Sequence, residues 1–179
     1  MNYKVVKSEK IFSGMVFDVK LDLLKYDSGN DGRREVIHHN GGAVVLPVNK
    51  EGKIILVKQF RYPLQKVLLE APAGKLEINE DPRVCAVREL TEETGYRADK
   101  ITPLGKIATT PGFCDEILYL FLAEELTAGE HNREEGEYGM EVFEYSIDEI
   151  DVLIKNGDLI DSKTIAALYH YKSFYLNKQ

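Results

Sequence analysis

The chain predicts an α/β fold: a mixed sheet clamped between helices, with an antiparallel β-layer ahead of it. Three observations carry this expectation. Short apolar or alternating runs separated by Gly, Asn and Asp turns recur through most of the 179 residues, as strands do. Three longer segments read instead as helices, two of them with clear start and stop signals. No linker, repeat or low-complexity stretch interrupts the chain, so residues 1–40 read as an N-terminal β-layer and residues 41–179 as one main domain of ordinary size.

In order, Phe17 to Leu23 alternates Phe, Asp, Val, Lys, Leu, Asp, Leu, the pattern of a half-buried strand. Asp27 to Gly32 is a turn, and Arg33 to His39 returns as a second strand, giving a hairpin-type layer suited to dimer formation or to covering a substrate. Ala43 to Val48 and Lys53 to Phe60 are apolar strands joined by the Asn49–Gly52 turn, and Val67 to Glu70 is a short strand leading into Ala-Pro-Ala-Gly. Further on, Leu104 to Thr110 and Ile117 to Ala123 flank the loop TTPGFCDE, and Glu124 to Gly139 reads as a long polar loop. Glu141 to Tyr145 is the last strand. Ser146 and Glu149 have capping-box spacing, so a helix runs from Ile147 to about Lys155 and stops before Gly157. A final helix from Ser162 to Tyr175 buries Ile165, Leu168, Tyr169 and Tyr175.

The remaining helix carries the chemistry. Asp81 followed by Pro82 starts it, as an N-cap carboxylate and a residue whose missing N–H is no loss at the first helical position. Gly95 ends it in the left-handed conformation. Val84, Val87 and Leu90, with Ala86, form the expected apolar stripe. Glu89, Glu92 and Glu93, spaced i, i+3 and i+4, converge on the other face. There they repel one another in the last turns, where the macrodipole penalises each anion by roughly 0.3–1 kcal/mol. Divalent cations reverse that penalty, and Mg2+ is commonly held by a few carboxylates together with substrate phosphates.

Composition narrows the partners. A net charge of −7 and no basic stripe argue against a nucleic-acid or anionic-membrane partner. Two cysteines, Cys85 and Cys114, make no disulfide framework; Cys85 reads as a small helix filler and Cys114 stays unassigned. No apolar run nears bilayer length, so no membrane partner and a cytoplasmic address are expected. His38, His39, His131 and His170 lack the spacing of metal ligands or of a nucleophile's base and read as structural or surface residues.

Gly74, Glu80, Arg88, Glu89, Glu92, Glu93 and Gly95 stand in the spacing G-x5-E-x7-R-E-U-x-E-E-x-G-U, with U apolar. At roughly 7% abundance per residue, these fixed positions match by chance at a given site on the order of once in 10^8. The pattern resembles the Nudix box, and the chain is identified as a member of that superfamily, which implies an α/β/α sandwich. The stretches KIILVKQFRYPL, LLEAPAGKLE and TTPGFCDEI, with Pro111 fifteen past Tyr96, resemble the ADP-ribose pyrophosphatase branch.

The resemblance implies Mg2+- or Mn2+-dependent hydrolysis of ADP-ribose to AMP and ribose 5-phosphate, with two or three ions. It implies metal ligands at Glu89 and Glu93, Glu92 as a direct or water-mediated ligand, and the carbonyl of Ala73 as another. Arg88 would orient the acidic cluster, pairing with Glu80 or a neighbour. Arg61 matches a phosphate- or ribose-contacting position, Glu70 and Asp115 would hold ribose hydroxyls, Gly112 belongs to the same substrate loop, and Arg34 would come from a homodimer partner. The base would be a glutamate of the long loop: Glu134, Glu135 and Glu137 are available, with Glu137 the first choice and Glu135 the second. Two alternatives stand beside this. The substrate could be another nucleoside diphosphate derivative, such as GDP-mannose or an ADP-sugar; or the chain could be a sensor that binds ADP-ribose without cleaving it, against which stand the intact box charges.

Overall fold

The computed structural model describes residues 2–130 and 139–176. His131, Glu134, Glu135 and Glu137 lie outside the described residues. The chain divides into two compact units, one of residues 1–41 with 108–117, the other of residues 42–107 with 118–179. The segment around Pro111 thus groups with the N-terminal layer rather than with the main domain.

The first unit is built on an antiparallel sheet of β1 (Tyr3–Ser13), β2 (Asp18–Tyr26) and β3 (Asp31–His38), in that order. β1 was not expected from the sequence, and its burial explains why. Every one of its residues is exposed, so it has no inward face to impose alternation, and it is held by pairing with β2 from Tyr3 opposite Tyr26 to Ser13 opposite Asp18. The segment 108–117 is tied to β3 through the backbone: Ile37 N–H donates to Phe113 O at 2.7 Å and Asp115 N–H donates to Ile37 O at 3.1 Å.

In the second unit, β4 (Gly42–Pro47), β7 (Ala73–Lys75), β8 (Tyr96–Ala108) and β9 (Ile117–Ala128) form a mixed sheet in the order β7-β4-β9-β8, with β4 parallel to β9 and antiparallel to β7. β5 (Ile54–Arg61), β6 (Lys66–Glu70) and β10 (Glu141–Tyr145) form a second sheet in the order β10-β5-β6. The helices are α1 (Pro82–Thr94), α2 (Ile147–Asn156) and α3 (Ser162–His170). β4 shows how the layers form. Its Val44 and Leu46 point into a core with Leu120, Leu122, Ile150 and Leu168, on the side of α2 and α3; its Ala43 and Val45 point into a second core with Ala86, Leu90 and Phe121, on the side of α1. The sheet is therefore covered on both faces, the α/β/α sandwich expected of the family, and the parallel β4–β9 pair reads as a continuous apolar run because neither of its faces is wet.

Three boundaries differ from the sequence expectation. β8 begins at Tyr96 rather than Leu104, directly after α1. β9 continues to Ala128, so the first residues assigned to the long loop are strand, with Leu126 packed on the α1-side core. The last helix is α-helical only to His170 and continues as a π-helical turn over Tyr171–Tyr175; Tyr169 is exposed and Tyr171 takes the buried place.

The caps of the other two helices follow the sequence. Asp81 accepts from Arg83 N–H at 2.8 Å, and Gly95 takes φ 76° as the stop of α1. Ser146 and Glu149 close a reciprocal capping box, and Gly157 ends α2 at φ 80°. The face of α1 is a correction. Val84 and Val87 are exposed at 59% and 39%, whereas Cys85, Ala86, Glu89, Leu90, Glu93 and Thr94 are buried. These fall at i, i+3 and i+4, so the helix does bury one stripe. Ala86 and Leu90 are thus buried as expected, but two positions of the stripe are glutamates, which is why apolar periodicity drew in Val84 and Val87 instead.

Candidate active site

The site grows from the place where β6 ends, β7 passes and α1 turns its acidic stripe inward. Glu89 and Glu93 are 6% and 2% exposed. Carboxylates reach such burial only when held by donors or countercharge. Glu93 accepts from Ala73 N–H at 3.3 Å. Glu89 lies against Gly74 so closely that a Cβ there would come within 1.7 Å of its Oε1. Gly74 thus has a steric reason: the box glycine is the space into which the box glutamate fits.

Arg88 organises the rest. Its guanidinium donates to Glu80 (Nε–Oε1 3.1 Å, Nη2–Oε2 3.2 Å), to Glu89 (Nη1–Oε1 2.6 Å), to Glu92 (Nη1–Oε2 3.0 Å) and to the Lys75 carbonyl (3.3 Å). The expected pairing with Glu80 is present. The repulsion expected among the glutamates is relieved in part by this one cation. Glu80, Glu89 and Glu92 still bring three carboxylates to one guanidinium, with Glu93 one turn further along α1. Hydrogen bonding by Arg88 lowers the Glu80 carboxyl below its ordinary range, and the same bonds raise the Arg88 guanidinium. Cys85, fully buried beneath, has its thiol pushed up to about 12 by burial and by the nearby Glu89 and Glu80, so it is an inert filler as expected.

Beside this cluster, Arg61 at the end of β5 forms a two-pronged pair with Glu70 at the end of β6, Nε–Oε1 2.8 Å and Nη2–Oε2 2.5 Å. Lys163 of α3 also donates to Glu70 Oε2, and to Asp161 Oδ1 at 3.0 Å. Glu70 is 1% exposed. Burial pushes its carboxyl up, but the hydrogen bonds and charges of Arg61 and Lys163 outweigh that and leave it below its ordinary value. Both oxygens of Glu70, expected to hold a ribose hydroxyl, thus face cations of the protein. Arg61, by contrast, is raised by the Glu70 hydrogen bonds and also feels the charge of Glu93, which places it within reach of the acidic cluster.

In the other unit, Asp115 Oδ1 accepts from His39 N–H at 2.9 Å and its Oδ2 lies 2.6 Å from His38 Nδ1. The His39 ring lies beside Glu116, whose other oxygen accepts from Thr109 Oγ1 at 2.7 Å. His38 and His39 are thus structural, as expected, and join the 108–117 segment to β3. Gly112 is exposed with open space where a Cβ would stand. Arg34 is exposed on β3, donating to Tyr26 Oη at 2.6 Å and Arg33 O at 2.8 Å. Cys114 is a free thiol.

A model of the NUDIX domain matches residues 38–168. The chain belongs to the Nudix family. Among relatives it is 44% identical to an ADP-ribose pyrophosphatase of Bacillus subtilis (strain 168) over 93% of this chain and 91% of that one. It is 41% identical to a methanol dehydrogenase activator of Bacillus methanolicus, with the same shares covered. It is 33% identical to a GDP-mannose pyrophosphatase of Cronobacter sakazakii over 95% of each. A crystal structure of an ADP compounds hydrolase superposes with a TM-score of 0.89 at 18% identity, covering 99% of this chain and 96% of that one, a likeness of fold.

Nudix hydrolases generally use a divalent metal such as Mg2+, and the donors of this chain fit a hard cation. They are carboxylate oxygens and backbone carbonyls beside a glycine that leaves room for them. Among the described residues no three acidic, His or Cys side chains already surround a common point.

Two features were missed in the sequence. The buried placement of Glu89 and Glu93 was legible only through Gly74, as a glycine required by close approach. Lys163 had a quieter signal: it follows an N-cap aspartate in the first turn of α3, where the macrodipole disfavours a cation, so it calls for a nearby carboxylate.

Proposed function

We propose that this Nudix enzyme hydrolyses the diphosphate bond of ADP-ribose, giving AMP and ribose 5-phosphate. The observation that carries the proposal is the pair of buried carboxylates, Glu89 and Glu93, the first packed on Gly74 and paired with Arg88, the second accepting from Ala73 N–H. The extended similarity to an ADP-ribose pyrophosphatase supports the substrate.

Glu89 and Glu93, with Glu92 and the Ala73 carbonyl, would hold two or three Mg2+ or Mn2+ ions, which supply neutralisation of the diphosphate oxygens. Arg88 keeps Glu89 and Glu92 oriented toward each other. Arg61 turns its guanidinium to a phosphate, for which a planar fork is suited. Gly112 and Asp115, and Arg34 from a second copy, would serve as further substrate contacts. A water attacks one phosphorus, a loop glutamate, Glu137 or else Glu135, takes its proton, and the bond to the bridging oxygen breaks.

A homodimer is part of the proposal. Val5, Val6, Ile11, Phe12, Val16 and Phe17 are exposed apolar residues of the N-terminal layer in the single chain, more than an isolated surface tolerates well. A cytoplasmic setting fits the two free thiols; no helix among the described residues is long and apolar enough to cross a membrane.

GDP-mannose is the second reading, favoured by the similarity to a GDP-mannose pyrophosphatase. A panel of ADP-ribose, ADP-glucose and GDP-mannose, assayed with Mg2+ and with a chelator, tests both. Metal-dependent AMP release, with kcat/KM highest for ADP-ribose, is the expected result. Faster turnover of GDP-mannose would move the assignment, and binding of ADP-ribose without cleavage would make the chain a sensor.

A further inference from the structure

α3 clasps the end of β6 at two successive residues. Lys163 Nζ donates to the Glu70 carboxylate, and Thr164 Oγ1 accepts from Ala71 N–H at 2.7 Å while donating to Asp161 Oδ2 at 2.6 Å. Two residues further along the chain stands Ala73, whose N–H meets Glu93. Lys163 is only 13% exposed and Arg61 36%, so the charges of this cluster are poorly screened by water.

Charge and geometry both assign Lys163 a task. Arg61 and Lys163 balance Glu70 and Asp161, two cations against two carboxylates. Without Lys163 the same cluster would carry a net negative charge where Arg61 has to receive a diphosphate. Glu70 engages the Nε and Nη2 of Arg61, while Nη1 makes no hydrogen bond to a described residue and is the free edge of the fork. A carboxylate held by two cations in fixed directions pins that edge; one held by Arg61 alone could follow the guanidinium as it moves.

We infer that Lys163 is a positioning residue for substrate binding: through Glu70 it fixes the Arg61 guanidinium and keeps the cluster from repelling the diphosphate. The inference rests on the reading of Arg61 as a phosphate contact.

The test is a double-mutant cycle on the full-length protein with Mg2+, measuring kcat and KM for ADP-ribose in wild type, Lys163→Met, Arg61→Ala and the double variant, with melting temperatures alongside. Lys163→Met is expected to raise KM about tenfold with kcat within about twofold, and to add nothing to KM once Arg61 is gone. Lys163→Arg, which keeps the charge, is expected to restore most of the affinity. Equal KM rises from Lys163→Met in both backgrounds, or an unchanged KM, would overturn the inference while leaving Arg61 as a substrate contact. An unchanged KM in Arg61→Ala would instead remove the reading on which it rests. Should Lys163→Met fail to fold, Lys163→Gln, which keeps a donor but no charge, takes its place in the same cycle, with the same outcomes deciding.

Discussion

Replacing Gly74 by alanine separates the fit of the acidic site from general stability. The added methyl would lie 1.7 Å from Glu89 Oε1, 2.0 Å from its Cδ and 2.6 Å from Oε2. Ordinary contact needs about 3.4 Å or more, so the carboxylate has to withdraw by almost 2 Å. It is the end of a side chain that can swing, so the backbone need not break, and the cost is that of an overpacked position, about 1–3 kcal/mol. For a chain of this size that lowers the melting temperature by roughly 2–4 °C per kcal/mol. Activity should fall much further, since a misplacement of even about 1 Å in a positioned group costs on the order of 10²-fold. Steady-state kinetics with ADP-ribose and Mg2+, alongside calorimetric melting, read the two effects apart. Gly74→Ala with wild-type kcat/KM would refute the claim that this glycine exists to seat Glu89.

Glu93→Gln keeps an acceptor for Ala73 N–H and removes one charge from the crowded cluster, so turnover should drop by roughly 10²-fold or more while the melting temperature moves by only about 3 °C; near-normal turnover would strike Glu93 from the ligand set. Glu70→Gln leaves Arg61 and Lys163 without their shared carboxylate and should cost about 3 kcal/mol at neutral pH, read by denaturant unfolding. Because the folded-state Glu70 carboxyl lies below its ordinary value of 4.5, its contribution is complete above that pH and is lost as pH falls through the lowered value. The melting temperature of wild type should therefore fall on acidification below about pH 4.5, more steeply than that of Glu70→Gln; equal slopes would show that Glu70 carries no such linkage. Aspartate at both Val6 and Phe12, exposed on β1, should convert a dimer to a monomer in light scattering; a wild-type monomer at micromolar concentration would remove the N-terminal layer as a dimer surface.

Sequence signals were strongest where local chemistry decides conformation. Asp81, Pro82 and Gly95 delimit α1 through their own backbone preferences, and Ser146 with Glu149 do the same for α2. β1 was silent because a strand exposed on every residue needs no alternation. The inner face of α1 was half legible: Ala86 and Leu90 are buried as expected, but two carboxylates complete the stripe while Val84 and Val87 are left outside; hydropathy locates a core face only where buried charge does not share it. The Arg61–Glu70 pair is close in sequence across β5 and β6, yet no local signal shows that Glu70 takes two of the three nitrogens of the fork. Lys163 stands 93 residues from Glu70, and only the sandwich brings them together.

Crystals grown with Mn2+ and a non-hydrolysable ADP-ribose analogue, measured for anomalous scattering, address the site itself. Manganese peaks are expected beside the carboxylates of Glu89 and Glu93 and the Ala73 carbonyl, in contact with the diphosphate oxygens. Analogue bound at full occupancy with no ion next to either glutamate would mean that these buried acids do not grip the substrate through metal.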